Sequence, residues 1–462
     1  MSVDWREVDR WLVGESWVGS ELSRHLDALC REIGPRWASS EGERRAVEYV
    51  VSRMTEYGLD HPRPEPFPLD TWTYRSSSAS VVGANQSINV LPFQFCPPTD
   101  VTGRLVDAGY GNPYELNAVS GELAGAVAVL NLAIQPFTPP RTIAARLTDL
   151  ATRGALAAVV IETKSGGRIE YHSPTDWREK AYAGHPLPTV ATSREGGAVL
   201  RQLANEGHSL RLTVDSDLHQ ATGTNTVSEI TGARWPNELL ILGGHHDTVL
   251  GTPGGNDNAS GTSVALETAR VLAKLRREQG VAPGRTIRFA TWSAEEQRLQ
   301  GSYAHVAKHF SGDSSQPRPR FMINLDELAT GTVKGVALVF PELRSFLQAQ
   351  LDSMGGGYQC HVMAQMDPSS DHFPFGRRGI QSSILWRWRF FGKHPDSDFH
   401  HEAGDTADKV RPRELMEYVA FLTRLLLRLS NVAPSRWPDV QIAPAEVEAR
   451  LEQEVAGPVR TA

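Results

Sequence analysis

The chain has 462 residues, of which 54 are acidic and 47 basic, so its formal charge is −7 with the 15 histidines counted as neutral. Apolar residues make up 40% and charged residues 22%, which excludes the compositions typical of disordered and fibrous proteins. The length predicts two or three hydrophobic cores. Because the chain is slightly acidic and has no stripe of lysine and arginine, we do not expect nucleic acid as a partner.

The cysteines and the apolar runs indicate in which cellular compartment the protein is expected. Cys30, Cys96 and Cys360 are odd in number and far apart, which predicts core thiols and argues against a disulfide framework or a structural zinc site. The start, MSVDWREVDRW, lacks the basic stretch and apolar run of a secretory signal. No apolar run approaches the roughly 20 residues that cross a bilayer. We therefore expect a cytoplasmic protein without membrane contacts.

In chain order, apolar spacing predicts two helices within residues 21–57. Residues from about 70 to 217 contain short β-rich runs and a helical stretch at 142–153, which predicts a smaller α/β module. After residue 225, strand-like and helical segments alternate. This alternation predicts an α/β fold with a mixed, largely parallel sheet and helices on both faces, in which ligands bind beyond the carboxyl ends of strands.

A buried apolar strand in LLILGGHHDTV places His245, His246 and Asp247 at its carboxyl end. A carboxylate beside a histidine can orient an imidazole that binds a metal ion, although this cluster alone favours histidines without a catalytic role. The turn GGNDNASG carries Asp257 just before a helix. The turn lacks the Gly-Lys-Ser/Thr ending of a phosphate loop, and an ordinary helix cap is the alternative interpretation.

The strand RTIRFATW ends in SAEEQ, which leaves Glu295 and Glu296 side by side where the sheet opens. Adjacent carboxylates point in different directions, so one can hold a metal ion while the other transfers a proton. Acidic residues favoured by a helix dipole are the alternative. Further polar residues follow in MINLDEL and FHHEAGDTADKV, namely Asp326, Glu327, His400, His401 and Asp405.

Together these motifs supply imidazoles and carboxylates from successive strand ends and one loop. This donor set suits two divalent ions, and zinc is the natural choice for histidine and carboxylate ligands without thiolate. A nucleophilic serine or cysteine is less favoured, because no Gly-x-Ser-x-Gly sequence occurs and no cysteine lies beside these histidines.

The motifs GGHHDT, GGNDNASG, SAEE, NLDE, SDHFPF and FHHEAGDTADKV, in this order, resemble those of the two-zinc exopeptidases. That family includes aminopeptidase Y, glutamate carboxypeptidase and bacterial secreted aminopeptidases. The segments GELAGAVAVLNLA, RLTDLATRGALAAVVIE and LPTVATS are similar to the protease-associated domain often inserted in the family. The resemblance implies N-terminal helices of the catalytic domain at 1–69, the inserted domain at 70–217, the catalytic domain at 218–432 and a tail at 433–462.

The resemblance also implies a zinc-dependent hydrolysis of peptide bonds. It implies two zinc ions per chain, one held by His245 and Asp326, the other by Glu296 and His401, with Asp257 bridging them. It further implies that Asp247 orients His245, that Glu295 is the general base, and that the peptide bond from Asp257 to Asn258 is cis.

The assignment of His401 rests on spacing, because many relatives read Tyr-His-Thr where this chain reads His400, His401 and Glu402. The ligand of the family lies four residues before the Asp of an Asp-Thr pair, and Asp405 is that residue here. His400 then stands where relatives carry a tyrosine facing the reacting carbonyl, with Tyr303 or His372 as the alternative donor. The predicted contacts to substrate are His400, Asp371, His372 and Arg387.

We expect an aminopeptidase acting on peptides or amino-acid derivatives, because a carboxylate-rich site suits an α-ammonium group. A carboxypeptidase or dipeptidase is the alternative, because Arg387, Arg389 and Lys393 could bind a carboxylate. A non-catalytic binding module and a single-zinc glutamine cyclase are further alternatives, which the complete set of implied ligands disfavours. The oligomeric state is not predicted.

Overall fold

The computed structural model describes residues 4–174, 184–312, 318–328, 333, 335–355, 360–385 and 398–456. The chain divides into two compact units, and the division falls within two long strands. The first unit consists of Met1–Leu69, Thr222–Gly392 and Ala403–Glu454, and the second of Asp70–Ala221, Lys393–Glu402 and Val455–Ala462, as far as these are described.

The helices are α1 Trp5–Val18, α2 Leu22–Leu26, α3 Glu41–Glu56, α4 Pro113–Ala118, α5 Ile143–Thr152, α6 Arg194–Asn205, α7 Gly261–Gln279, α8 Gln300–His309, α9 Arg344–Met354, α10 His372–Arg377, α11 Pro412–Asn431 and α12 Pro444–Ala456. The strands are β1 Asp60–Val81, β2 Ser87–Ile88, β3 Val90–Pro92, β4 Thr99–Asp107, β5 Val127–Asn131, β6 Ala157–Ile161, β7 Thr189–Thr192, β8 Ser209–Ile230, β9 Trp235–His245, β10 Arg285–Trp292, β11 Arg318–Asn324, β12 Gly335–Leu338, β13 His361–Ala364 and β14 Ser382–Leu385.

The first unit is built on a mixed sheet with the strand order β13-β12-β14-β11-β9-β10-β8. The central strands β14, β11, β9 and β10 run parallel, while β8 is antiparallel to β10 and β12 is antiparallel to β14. The carboxyl ends of β9, β10 and β11 therefore lie at the same edge. The predicted largely parallel sheet is confirmed.

Helices cover both faces of this sheet. Along β9, Leu240 and Leu242 belong to the large core that includes residues of α1, α3, α7 and α11. Leu239 and Ile241 belong to a second core on the opposite face, with Val306 of α8 and Phe375 of α10. Because both faces are buried, the central strand is a continuous apolar run without alternation of polar residues.

The second unit has its own sheet, in which β4, β5, β6 and β7 run parallel and β3 and β8 are antiparallel at the two sides. Its core joins Leu147 and Leu150 of α5 to Ala128, Leu130 and Val160 of the strands. The prediction of a small α/β module in this part of the chain is confirmed as far as its secondary structure is concerned.

The unit boundaries differ in part from the predicted domains. Residues 398–402, which were predicted to lie in the catalytic domain, group with the second unit, and most of the predicted tail groups with the first. The protease-associated character of residues 70–217 stays a prediction. Within the described residues, no helix has the length and apolarity that a membrane crossing requires.

Candidate metal and active site

His245 is the last residue of β9, and its side chain is buried. Its Nε2 lies 3.1 Å from Oδ1 of Asp257 and 3.4 Å from Oδ1 of Asp326. Oε2 of Glu295 is 3.9 Å away. The strand reaches this position because Gly244 precedes His245: a Cβ on Gly244 would meet the backbone oxygen of Leu325 at 2.3 Å. One imidazole nitrogen therefore faces carboxylates from three segments of the chain, namely the turn before α7 and the residues after β10 and β11.

Asp247 holds the ends of two strands together. Its Oδ1 lies 3.4 Å from Nδ1 of His245, and its backbone oxygen lies 3.2 Å from the same nitrogen. Because both neighbours are acceptors, we assign a proton to Nδ1. Nε2, which faces the carboxylates, is then the ring nitrogen available to a cation. The same carboxylate accepts hydrogen bonds from the backbone N–H groups of Glu295, at 3.2 Å, and Glu296, at 3.3 Å.

Asp257 lies in the π-helical turn Gly255–Ser260, where its backbone is not helical. The carboxylate of Asp405 accepts from the backbone N–H groups of Asn256, at 2.8 Å, and Asp257, at 2.9 Å. The side chain of Asn258 donates to the backbone oxygen of Leu325 at 2.8 Å. The peptide bond between Asp257 and Asn258 is cis, so this prediction is confirmed.

Asp326 follows β11 and presents its two oxygens to different partners. Oδ1 faces His245 Nε2, while Oδ2 accepts a 2.7 Å hydrogen bond from Ser370 Oγ. Ser370 Oγ in turn accepts from Nδ2 of Asn324 at 2.7 Å. All three side chains are buried, so this chain of hydrogen bonds restricts the orientation of the carboxylate.

The donor set fits a divalent metal centre. One ligand atom each from His245, Asp257 and Glu296 lie within 4.8 Å of one another, and the same holds for His245, Glu295 and Asp326. All five residues are buried. Buried carboxylates in such numbers are costly unless a cation or proton neutralises them. Imidazole and carboxylate donors without thiolate match the preferences of zinc and similar ions.

The ionisable side chains of the cluster shift one another's pKa values. Burial raises the pKa of Glu295 well above its usual range; the charge of His245 opposes this, while the nearby carboxylates of Glu296 and Asp326 add to it. Burial lowers the pKa of His245, but the carboxylates, with Glu295 first, outweigh burial and hold this pKa well above its usual value. The site is therefore an electrostatic environment that favours added positive charge.

Asp371 and His372 are fully buried at the start of α10. Asp371 Oδ1 accepts a 2.6 Å hydrogen bond from Ser302 Oγ. Burial raises the pKa of Asp371 to about 8. The predicted substrate contact Arg387, and the neighbouring Arg389 and Lys393, lie outside the described residues. Contact of Asp371 and His372 with substrate stays a prediction.

His400 and His401 belong to the second unit, where their rings stack with centroids 3.6 Å apart. His401 Nδ1 lies 3.1 Å from the backbone oxygen of Tyr171, and the backbone N–H of Tyr171 donates to the oxygen of His401 at 3.0 Å. His400 Nε2 lies 4.0 Å from Oε1 of Glu170. The structure thus brings the predicted ligands of the first unit together, and the metal role of His401 stays a prediction.

A second buried cluster of potential ligands lies elsewhere in the first unit. Glu65 Oε1 is 2.6 Å from Nδ1 of His305, and Glu65 Oε2 is 2.6 Å from Nε2 of His309. Arg288 Nη1 lies 3.3 Å from His305 Nε2, and since arginine only donates, that ring carries its proton on Nδ1. The His305 proton therefore points at the carboxylate, and we interpret the cluster as hydrogen-bonded without a metal ion.

Sequence reasoning missed residues that support the site from a distance. Ser370 and Ser302 donate to Asp326 and Asp371, yet a serine in SSDHFPF or GSYAHV carries no signal in one sequence. Asp405 was predicted to lie in a polar turn, but its carboxylate accepts hydrogen bonds from the backbone of Asn256 and Asp257, which are 149 and 148 positions away in the sequence. Such pairings depend on the tertiary fold.

Comparisons with known proteins agree with this geometry. Residues 225–425 match the model of Peptidase family M28. Carboxypeptidase Q from Bos taurus is 23% identical over 447 residues, with 92% of this chain and 85% of the relative covered. Aminopeptidase YwaD from Bacillus subtilis (strain 168) is 25% identical, with 85% of this chain and 80% of the relative covered.

The structure of BSAP, a zinc aminopeptidase from Bacillus subtilis, superposes with a TM-score of 0.70 at 22% identity, with 91% of this chain and 97% of that chain covered. This likeness confirms the α/β fold predicted from the sequence. The family model covers the motifs from the first unit's strands through most of α11. Residues 225–425 of the chain, which carry the metal-site motifs of the first unit, therefore match peptidase family M28.

Proposed function

We propose that this chain is a metal-dependent exopeptidase, of aminopeptidase type, that acts on peptides or amino-acid derivatives. The observation that carries the proposal is the buried convergence of His245, Asp257 and Glu296 with Asp326 and Glu295. A structural role alone would not collect so many carboxylates about one imidazole, because each buried carboxylate costs free energy unless it is neutralised.

The residues that would hold the metal are assigned within this set. His245 and Asp326 would bind one zinc ion, Glu296 and His401 a second, and Asp257 would bridge the two. When bound, such a pair of ions supplies Lewis acidity that lowers the pKa of water and polarises a peptide carbonyl. Zinc is supported by the donor chemistry and by the printed name of BSAP as a zinc aminopeptidase.

The remaining residues would position and transfer protons. Glu295 would accept a proton from the attacking water and return it to the leaving amine, since its carboxylate lies at the edge of the ligand cluster, 3.9 Å from His245 Nε2. Asp247 would keep Nε2 of His245 available through its contacts with Nδ1, and would fix the backbone of Glu295 through its hydrogen bond.

The preference for an aminopeptidase rests on charge. The site carries Asp371 in addition to the proposed ligands, and Glu327 follows Asp326 directly, so an α-ammonium group would meet carboxylates. A carboxypeptidase remains the second candidate, because the relative named Carboxypeptidase Q covers 92% of this chain. In that case Arg387, Arg389 or Lys393 would bind the terminal carboxylate.

A substrate panel tests both candidates. The full chain, loaded with zinc, is assayed with aminoacyl anilides, with N-blocked peptides that have a free carboxylate, and with dipeptides, before and after exhaustive chelation. Release from aminoacyl anilides that chelation abolishes and zinc restores supports the proposal. Turnover restricted to N-blocked peptides would establish the carboxypeptidase alternative. Activity that persists in protein verified to be metal-free, or no turnover at all, would contradict a metallopeptidase.

A further inference from the structure

A cavity of about 620 Å³ lies in the second unit, at the carboxyl ends of its parallel strands. Tyr110, shortly after β4, and Asn131, the last residue of β5, both line it. Thr163 lines it just after β6, and Arg194 lines it at the start of α6, after β7. Each of the parallel strands β4 to β7 thus sends a residue into one concavity, whose size is that of small-molecule sites.

The cavity lies where the chain changes from one face of the sheet to the other. On β6, Ala158 and Val160 share a core with α5. Ile161 points to the opposite face, since side chains alternate along a strand. There it packs against α6, whose Gly197 has no room for a Cβ because Ile161 Cγ2 would lie 2.3 Å from it. Open α/β sheets bind ligands in the crevice formed at such a change of face.

The charges of the lining leave one cation without a partner. Nε of Arg201 lies 3.2 Å from Oδ2 of Asp107, and Glu162 Oε1 lies 2.6 Å from Nε2 of His172. Arg194 is exposed and makes no ion pair with any residue in the described part of the chain. A guanidinium that lines a cavity is suited to a carboxylate, to which it can donate two parallel hydrogen bonds.

We propose that this cavity is a binding site, separate from the metal cluster, for the α-carboxylate of a small ligand, either a peptide C terminus or a free amino acid. Arg194 binds the carboxylate, and Asn131 and Thr163 supply polar groups along the rest of the ligand. The choice of peptides and amino acids as the source of the carboxylate rests on the proposed peptidase function. The cavity and the charge of Arg194 do not depend on it.

The test uses N-acetyl-Ala-Ala, its C-terminal amide and free alanine as probes. Each is titrated calorimetrically into the zinc-loaded full chain carrying Glu295→Gln, which suppresses turnover, and chromatography verifies that the probes stay intact. Arg194→Gln removes the charge, and Ala198→Phe fills the cavity from an exposed position on α6. Arg211→Gln is the matched control, because Arg211 is an exposed arginine of the same unit that does not line the cavity.

We expect saturable binding of N-acetyl-Ala-Ala and binding of the amide weakened about tenfold or more, since a hydrogen-bonded charge pair is lost. Arg194→Gln and Ala198→Phe should weaken the acid by a similar factor, and Arg211→Gln should not. Equal binding of alanine and the acetylated dipeptide would identify the free amino acid as the source, whereas binding of the dipeptide alone would identify a peptide terminus.

Binding that survives both cavity variants would belong to the metal site and would overturn the proposal, as would equal affinity for acid and amide or no saturable binding at millimolar concentration. Circular dichroism of each variant verifies folding, and Arg194→Gln at the surface remains a test if Ala198→Phe does not fold. Peptidase activity of the unmutated chain is measured separately. Its absence would refute the proposed function while the titrations still decide the cavity.

Discussion

Ser370 Oγ donates a 2.7 Å hydrogen bond to Oδ2 of Asp326. Both residues are buried, and the bond leaves Oδ1 of Asp326 directed to His245. The serine thus restricts the carboxylate to one orientation, in which a single oxygen is presented to a metal ion. Partners of this kind are as much part of a metal site as the ligands themselves.

Removal of this bond should weaken metal binding more than it alters the fold. In Ser370→Ala we expect the zinc affinity to fall by about 10- to 100-fold, as is typical when a hydrogen-bond partner of a ligand is lost. Competition between the metal-free protein and a chromophoric chelator measures this affinity. Ser369→Ala, an exposed neighbour, is the control. Equal affinities of the two variants would show that Ser370 does not orient the ligand.

Glu295 and Glu296 are adjacent but should differ in phenotype. Glu295→Gln should retain metal and lose about 10²- to 10⁴-fold in kcat, because the amide does not accept a proton from water. Glu296→Gln should instead lower the metal content, because a neutral amide is a weaker ligand. Metal analysis and steady-state kinetics on both variants check the assignment. If the two phenotypes were exchanged, the base and the ligand would have been assigned in reverse.

The two adjacent histidines of the second unit are distinguished by the same kind of measurement. We expect His401→Ala to lower the zinc content and His400→Ala to leave it unchanged, because His401 has the ligand spacing relative to Asp405. His400→Phe with both metals bound should lower kcat by about 10²-fold if an N–H donor faces the oxyanion. Loss of zinc in His400→Ala alone would show that the spacing argument selected the wrong histidine.

The sequence allowed the central strands and the residues at their ends to be predicted, for a physical reason. Residues 239–245 of β9 and all of β10, Arg285–Trp292, are buried. The apolar run of β9 ends at polar residues, and β10, although it contains Arg285 and Arg288, ends directly before SAEEQ. His245 and Glu295 could therefore be located without tertiary information. The residues that directly follow a strand are given by the local sequence, so they can be recognised without knowledge of the tertiary contacts.

Strand β1 escaped prediction because it carries prolines, which argue against a strand. In the structure Pro64, Pro66 and Pro68 are exposed, while Glu65 and Phe67 between them are buried. The prolines thus share the exposed face of the strand, and the side chains between them form its buried face. Helix α1, Trp5–Val18, was also not predicted. Its buried residues Val8, Leu12 and Ser16 recur every four residues, as in a helix, but only two of the three are apolar, so the apolar pattern is short.

The buried carboxylate of Glu65 likewise could not be assigned partners, because it is 240 positions from His305 in the sequence. In the fold, burial raises the pKa of Glu65, but the hydrogen bonds from His305 and His309 outweigh burial and hold it well below its usual range. Burial lowers the pKa of His305 to about 4, with Glu65 opposing and Arg288 assisting. Lys308 Nζ lies 3.2 Å from the carboxylate and is largely exposed.

This cluster should make the first unit less stable in mild acid. Between about pH 6.5, the usual pKa of histidine, and the folded value of about 4, the unfolded chain binds a proton at His305 that the folded chain does not. Stability therefore falls as the pH drops through this window. The contribution of the depressed Glu65 pKa is complete above the unfolded value near 4.5 and is lost at still lower pH.

Glu65→Gln should consequently lower the free energy of unfolding at pH 7 by about 1.5 to 3 kcal/mol, because an amide replaces a charged acceptor of two imidazole N–H groups. It should also flatten the dependence of stability on pH below the unfolded pKa of glutamate, since no carboxylate remains to titrate at this position. Urea unfolding followed by circular dichroism from about pH 3 to 8 measures both effects, because the series then includes the range below the unfolded pKa of glutamate. Glu122→Gln, at an exposed ion pair with Arg104, should change neither. Indistinguishable unfolding curves for Glu65→Gln and Glu122→Gln would mean that the buried cluster contributes no net stability.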